Sequence, residues 1–194
     1  MTHRVLGRVS VAAAVLFTVS AAQIVAAEDA PGSTPSQKAQ EALRFVESKD
    51  AYQRQVGFLR LEALREPATV ARLRPYVTSK DPELRASSLR ALAAIEGAAS
   101  TPLLLEKLKT DKHPRVRRAA ILGLEPFAQS APDILPALIK ALRDRNTQVR
   151  MTTVDVVSRI DDPRAREAIA ARNKRERRRD VRRVLKQARE RRGS

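Results

Sequence analysis

Four arginines recur along this chain at nearly constant spacing: Arg85, Arg117, Arg150 and Arg182 lie 32, 33 and 32 residues apart. A guanidinium is a planar, permanently charged fork that grips carboxylate or phosphate oxygens two at a time. A row of four such forks would make an anion-binding track. A second charged set lies further on, in Arg177, Arg178 and Arg179 with Arg182, Arg183, Lys186, Arg189, Arg191 and Arg192. From Arg172 onward, 12 lysines and arginines face three acids, which places +9 of the chain's net +16 in its last stretch. Such a field attracts polyanions: nucleic acid, anionic lipid or acidic protein. The same charge also serves as an ordinary solvated surface.

Groups suited to catalysis are few. After residue 27 the one histidine is His113, in a turn between Lys112 and Pro114, where it is expected to be exposed and inert. Asp161 and Asp162 form a carboxylate pair, but Asp162 precedes Pro163 and reads better as a helix cap. Cysteine is absent, so disulfides, thiolate zinc sites, iron–sulfur clusters and cysteine nucleophiles are excluded. There is no glycine-rich phosphate loop and no metal-ligand spacing. The expectation is of no catalytic residue, no cofactor, no metal and no small-molecule substrate.

The elements that must carry the arginines are helices. Apolar residues are 43% of the chain but aromatics only 3%, so the core must be built from Leu, Ala, Val and Ile, which favours helix packing over a sandwich. Each recurring arginine follows an aliphatic anchor: Leu84, Val116, Val149 and Val181. After Leu84, Val116 and Val149, small residues come three and four positions on, and further apolar residues at five and eight, a helical period with a close-approach patch. A weaker copy runs from Asp50 through Tyr52, Val56 and Leu59. Shorter helices are predicted between these, at about 67–77, 101–109, 132–143 and 163–173, with an extra N-terminal helix over about 36–48. Thr34-Pro35, Asp81-Pro82, Thr101-Pro102 and Asp162-Pro163 mark helix starts, because proline at the first position gives up an N–H the helix does not use. Gly97 and Pro126 mark ends, and Pro75 and Pro136 predict kinks or late starts. One pair of short helices cannot bury its own apolar face, whereas stacked pairs can. The fold class is therefore all-α, an α-solenoid of about four to five helix pairs over residues 36–192.

The run from Asp111 through Val116-Arg117, Ala119-Ala120 and Leu124 resembles the HEAT repeat, in particular the short bacterial HEAT-like repeats related to phycobilin lyases. The likeness spans about residues 50–190. It implies that the Val-Arg helices line the concave side. It also implies a structural use for the ladder, in which turn acids Asp81, Asp111 and Asp144 join Arg85, Arg117, Arg150 and Arg182 between neighbouring repeats. Some relatives in that family are metal-dependent hydroxylases built on paired His-Glu motifs, which this chain lacks; others resemble lyases. The better binding candidates are then helix positions expected to face away from the core, two residues after each anchor (Ala86, Arg118, Met151, Arg183) and six after (Arg90, Leu122, Asp155, Gln187). Arg90, Arg118 and Arg183 lead this set, with Arg177, Arg178 and Arg179 beside them. The last helix keeps an apolar stripe in Val181, Val184, Leu185 and Ala188, so it is expected to cap the stack.

Residues 1–27 read as an export signal. Arg4 and Arg8 precede an apolar stretch from Val9 to Val25, with Val25 and Ala27 at the −3 and −1 positions of a cleavage site. Residues 28–35 read as a linker. The alternative is an uncleaved anchor over 9–27, with the body outside the cytoplasm in either case. The expected function is an exported, periplasmic or extracellular, non-catalytic scaffold for protein–protein interaction, whose basic last repeat binds acidic partners or an anionic envelope surface. The alternatives are a nucleic-acid or polyanion binder acting through phosphate contacts and, more remotely, a lyase-like or hydroxylase-like enzyme.

Overall fold

A computed structural model describes residues 34–190 of the chain. The expected export signal, nearly all of the expected linker, and Arg191 and Arg192 lie outside the described residues. Within them the chain is helical throughout, with no strand. The helices are α1 (Pro35–Val46), α2 (Ala51–Leu64), α3 (Val70–Leu73), α4 (Pro82–Glu96), α5 (Thr101–Thr110), α6 (Pro114–Leu124), α7 (Ile134–Ala141), α8 (Thr147–Arg159), α9 (Pro163–Arg175) and α10 (Arg179–Glu190). They alternate as first and second members of five helix pairs, the predicted α-solenoid. The N-terminal helix is not an extra one: α1 packs along α2 as the first helix of the first pair.

Local chemistry sets the helix ends. Thr34 caps α1 through a reciprocal box: its hydroxyl accepts from the Gln37 N–H, and the Gln37 side chain accepts from the Thr34 N–H. Asp50, Asp81 and Asp162 cap α2, α4 and α9 in the same sense, each carboxylate accepting a first-turn N–H. His113 is not idle. It caps α6, its Nδ1 accepting from the Arg115 N–H at 3.3 Å. The helix at Thr101 starts one residue earlier than its Thr-Pro pair suggests, with Ser100 at the cap position. Gly97 ends α4 at a φ of 58°, a conformation glycine adopts freely. Pro75 breaks the 67–77 helix, which is α3 flanked by the 3-10 turns Pro67–Thr69 and Arg74–Thr78. Pro136 delays α7, so that proline sits in its first turn.

The core is aliphatic, as the composition requires. One buried cluster joins α1, α2, α3 and α4 through Ala42, Phe58, Leu61, Leu73 and Leu92. A second continues from α4 to α10 through Leu89, Leu104, Ile121, Leu138, Val157 and Leu185. Helix α4 is the wall between them. The second helices stack directly, α2 on α4, α4 on α6, α6 on α8 and α8 on α10, while first helices of neighbouring pairs meet more sparsely. Closer packing on one side curves a stack and puts the second helices on its inner side. The small residues after each anchor permit this approach: Ser87, Ser88, Ala119, Ala120 and Thr153 are all buried.

Candidate functional site

The arginine ladder is built by one repeated turn. Nη1 of Arg85 donates to the backbone carbonyls of Ser79 and Lys80, six and five residues upstream. Arg117 donates likewise to Asp111 and Lys112, and Arg150 to Asp144 and Arg145. These bonds lock the turn that enters each second helix and leave one edge of the guanidinium pointing at the next repeat. There it meets a carboxylate. Arg85 forks onto Asp111 at 2.8 and 3.0 Å, Arg117 onto Asp144 at 2.7 and 2.7 Å, and Arg150 onto Glu176 at 3.0 and 3.3 Å. Each acid also accepts backbone N–H groups of its own turn: from His113 to Asp111, from Asn146 to Asp144, and from Arg177 and Arg178 to Glu176. A single carboxylate thus fastens its own turn and the repeat before it. Arg117 and Arg150 are buried. These arginines are committed to the fold and do not form an anion track.

The register corrects one of the expected acids. In the three joined repeats the acid stands six residues before its arginine; Asp81 stands only four before Arg85, so it is a helix cap aligned with His113 and Asn146 rather than a ladder acid. The acid position in that repeat is Ser79, whose hydroxyl accepts from the Asp81 N–H. The third ladder acid, Glu176, was missed because a Glu takes the place of Asp. A fifth arginine was also missed. Nη1 of Arg54 donates to the carbonyls of Ser48 and Lys49 as the others do. It was hidden because its anchor position holds Gln53 instead of an aliphatic residue. Arg54 faces Ser79 in register and so lacks a carboxylate across the junction. At the other end Arg182 is exposed, with no side-chain partner among the described residues.

The electrostatics of the acids follow from these contacts. Burial pushes the Glu176 carboxyl up, but the Arg178 N–H and the guanidiniums of Arg172 and Arg150 outweigh it and bring it down to about 2. Burial likewise opposes, and the Arg85 fork and the His113 N–H overcome, at Asp111, which is held below the usual carboxylate range; Arg117 and the Asn146 N–H do the same for Asp144. A carboxylate with a depressed folded pKa adds stability that is present above its unfolded pKa and lost as pH falls through the folded one. Stability is therefore expected to decline as pH drops from about 4.5 towards about 2, and Glu176→Gln is expected to shallow that decline. Urea midpoints measured across this range check it; a midpoint that does not move with pH would contradict the assignment.

The outward-facing candidates divide. Ala86 is fully buried, because it meets the neighbouring second helix rather than solvent. Met151 is half-buried against the core. Arg118 donates from Nε to the Thr152 hydroxyl at 3.0 Å, tying α6 to α8, and Arg90 lies 3.5 Å from Glu62, tying α4 to α2. Arg115 with Glu83 and Arg159 with Glu125 are further ties between repeats. Arg90 and Arg118 thus belong mainly to the stack. Arg183 is different: like Arg177 and Arg179 it is exposed, with no side-chain partner among the described residues. Arg178 is exposed and 3.8 Å from Asp180. Val181, Leu185 and Ala188 bury the other face of α10, as the apolar stripe predicts. The last repeat is therefore docked on one side and cationic on the other.

Among the described residues, no group of three or more His, Asp or Glu is placed to hold a metal ion, and no helix is long and apolar enough to cross a membrane. Compared with known proteins, the chain matches a family model of HEAT repeats over residues 37–125 and 101–188. A crystal structure of an engineered protein is similar at 17% identity, covering 80% of this chain and 83% of that one, with a TM-score of 0.48. No curated protein matches.

Proposed function

The chain belongs to the HEAT-repeat family, and from that premise we propose that it is an exported, non-catalytic scaffold that binds acidic protein partners outside the cytoplasm. HEAT stacks commonly serve protein interaction, because a curved array offers one long surface assembled from many repeats. The observation that supports an acidic partner is the division of the arginines. Arg85, Arg117 and Arg150 are consumed by carboxylates and carbonyls, whereas Arg177, Arg179, Arg182 and Arg183 of the last repeat remain exposed. Export rests on the pattern of residues 1–27.

The nucleic-acid reading shares the charge but has fewer contacts to draw on. Stacking on aromatic rings holds unpaired bases, yet Phe58 is buried and packs edge-on against Tyr76 at 5.7 Å. Tyr52, 75% exposed, is at the opposite end of the stack from the charge. Two measurements test the proposal. N-terminal sequencing of the protein from fractionated cells should give a chain beginning at about Glu28 in the exported fraction; a full-length cytoplasmic chain would sink the export half. Capture of partners by this protein at low salt should fall at least about tenfold when Arg177, Arg179 and Arg183 are changed together to Glu, and should weaken as salt screens the charges. The same partner recovered equally by both forms would remove the cationic repeat from the binding element.

A further inference from the structure

The first helices α5 and α7 do not close on each other. A groove of about 790 Å³ opens between them at the end of the stack where the ladder turns lie. The corresponding groove between α7 and α9 holds only about 60 Å³. Leu105 and Leu108 of α5 line it together with Ala137 and Ala141 of α7. The floor is therefore aliphatic. The rim is basic: Lys109, Lys112, Lys140, Arg143 and Arg145 are all exposed around it. Of the three lining acids, Asp111 and Asp144 are already held by Arg85 and Arg117, which leaves Asp133 alone against five cations.

We infer that this groove docks an extended acidic segment of a partner protein, with one aliphatic side chain of that segment seated on the leucine floor. The inference rests on the protein-binding reading above and places part of that binding away from the last repeat. The size fits: α7 has eight residues and is about 12 Å long, the span of about four residues of extended peptide. The volume falls within the range of specific ligand sites. With the intervening side chain pointing down, carboxylates at every second residue share the opposite face, at the level of the basic rim. A nucleic acid would satisfy the rim but leave the floor empty, since the lining has no aromatic ring to stack a base. A flat anionic membrane would also stop at the rim.

The test uses the mature chain and a fluorescein-labelled seven-residue peptide, leucine at the centre and glutamate on both sides, followed by anisotropy. The control peptide has alanine at the centre. The leucine peptide is expected to bind at least about tenfold tighter than the alanine peptide, the scale of burying one aliphatic side chain. Ala137→Phe fills the floor without touching charge and should bring that ratio close to one. Lys109→Glu with Lys140→Glu, both at exposed positions, should weaken both peptides at least about tenfold and keeps the test decisive if Ala137→Phe fails to fold. Equal binding of the two peptides by the unaltered protein, no detectable binding of either, or loss only when Arg177, Arg179 and Arg183 are reversed would overturn the groove and leave the scaffold reading standing. If a DNA duplex or anionic vesicles bind as tightly as the leucine peptide and compete with it, the groove is not selective for peptide and the protein-partner reading falls with it.

Discussion

Arg117→Ala is expected to lower the unfolding free energy by about 3–5 kcal/mol, the cost of removing one partner of a buried, hydrogen-bonded charge pair. Three losses coincide. Asp144 is left largely buried without its fork, and the carbonyls of Asp111 and Lys112 each lose a donor. The stem of Arg117 also leaves a packed site, since the residue is only 5% exposed. Asp144→Ser should cost less. Serine can still accept the Asn146 N–H, as Ser79 accepts that of Asp81, and Arg117 keeps both carbonyls. Urea unfolding followed by circular dichroism measures both. A loss below about 1 kcal/mol for Arg117→Ala would mean that the pair is worth no more than an exposed salt bridge, and that the ladder does not hold the repeats together.

Gly57→Ala is expected to undock the first helix. Glycine inside a helix is ordinarily a liability of up to about 1 kcal/mol relative to alanine, so propensity alone predicts a gain. Geometry predicts the opposite. A Cβ at Gly57 would lie 2.6 Å from the backbone N of Val46 and 2.7 Å from the carbonyl O of Ala42. Both atoms are backbone, so relief requires α1 to move as a body and expose Ala39, Ala42 and Val46, all now buried. Overpacking of this kind costs about 1–3 kcal/mol or more, which outweighs the propensity gain. Amide exchange should show α1 losing protection while α6 and α8 keep theirs. Gly123→Ala is the comparison. Its Cβ would meet only side-chain atoms, at 3.1 Å, on Ala93 and Leu104, and a leucine can turn aside. Unchanged protection of α1 in Gly57→Ala would show that the helices have slack at that crossing.

These two sites mark what could and could not be read from the residues. The arginines of the ladder were legible because an aliphatic-Arg pair returns every 32 or 33 residues. So was their structural use, through the resemblance to HEAT repeats, and the family match agrees with that resemblance. The acids were legible only in part. Asp is common both as a helix cap and as a ladder partner, and Asp81 differs from Asp111 by two positions of register that matter only once the fork is drawn. Glu176 could have been found by carrying the 33- and 32-residue spacing onward from Asp144. Arg54 lacked its aliphatic anchor and offered no such signal. Ala86 was placed on the outer face because helical period alone does not say that a second neighbour packs there. The groove between α5 and α7 had no sequence signature, since its lining is assembled from two separate helices and the turns beside them.

The ladder also has a direction. At each of the three forks the earlier repeat offers its guanidinium forward and the later one its carboxylate backward, so the junction is head-to-tail, the kind of contact that propagates without limit when the two ends of a molecule match. Here they do not match. The forward end presents Arg182, which has no side-chain partner among the described residues, but the backward end presents Ser48, whose hydroxyl already accepts the Asp50 N–H. A second copy approaching Arg182 in register would bring a serine where the fork requires a carboxylate. Two copies meeting forward end to forward end would set arginine against arginine. Across the described residues the fork is thus confined to the three junctions from Arg85 to Glu176, and an in-register contact between copies would resemble the unforked Arg54–Ser79 junction instead.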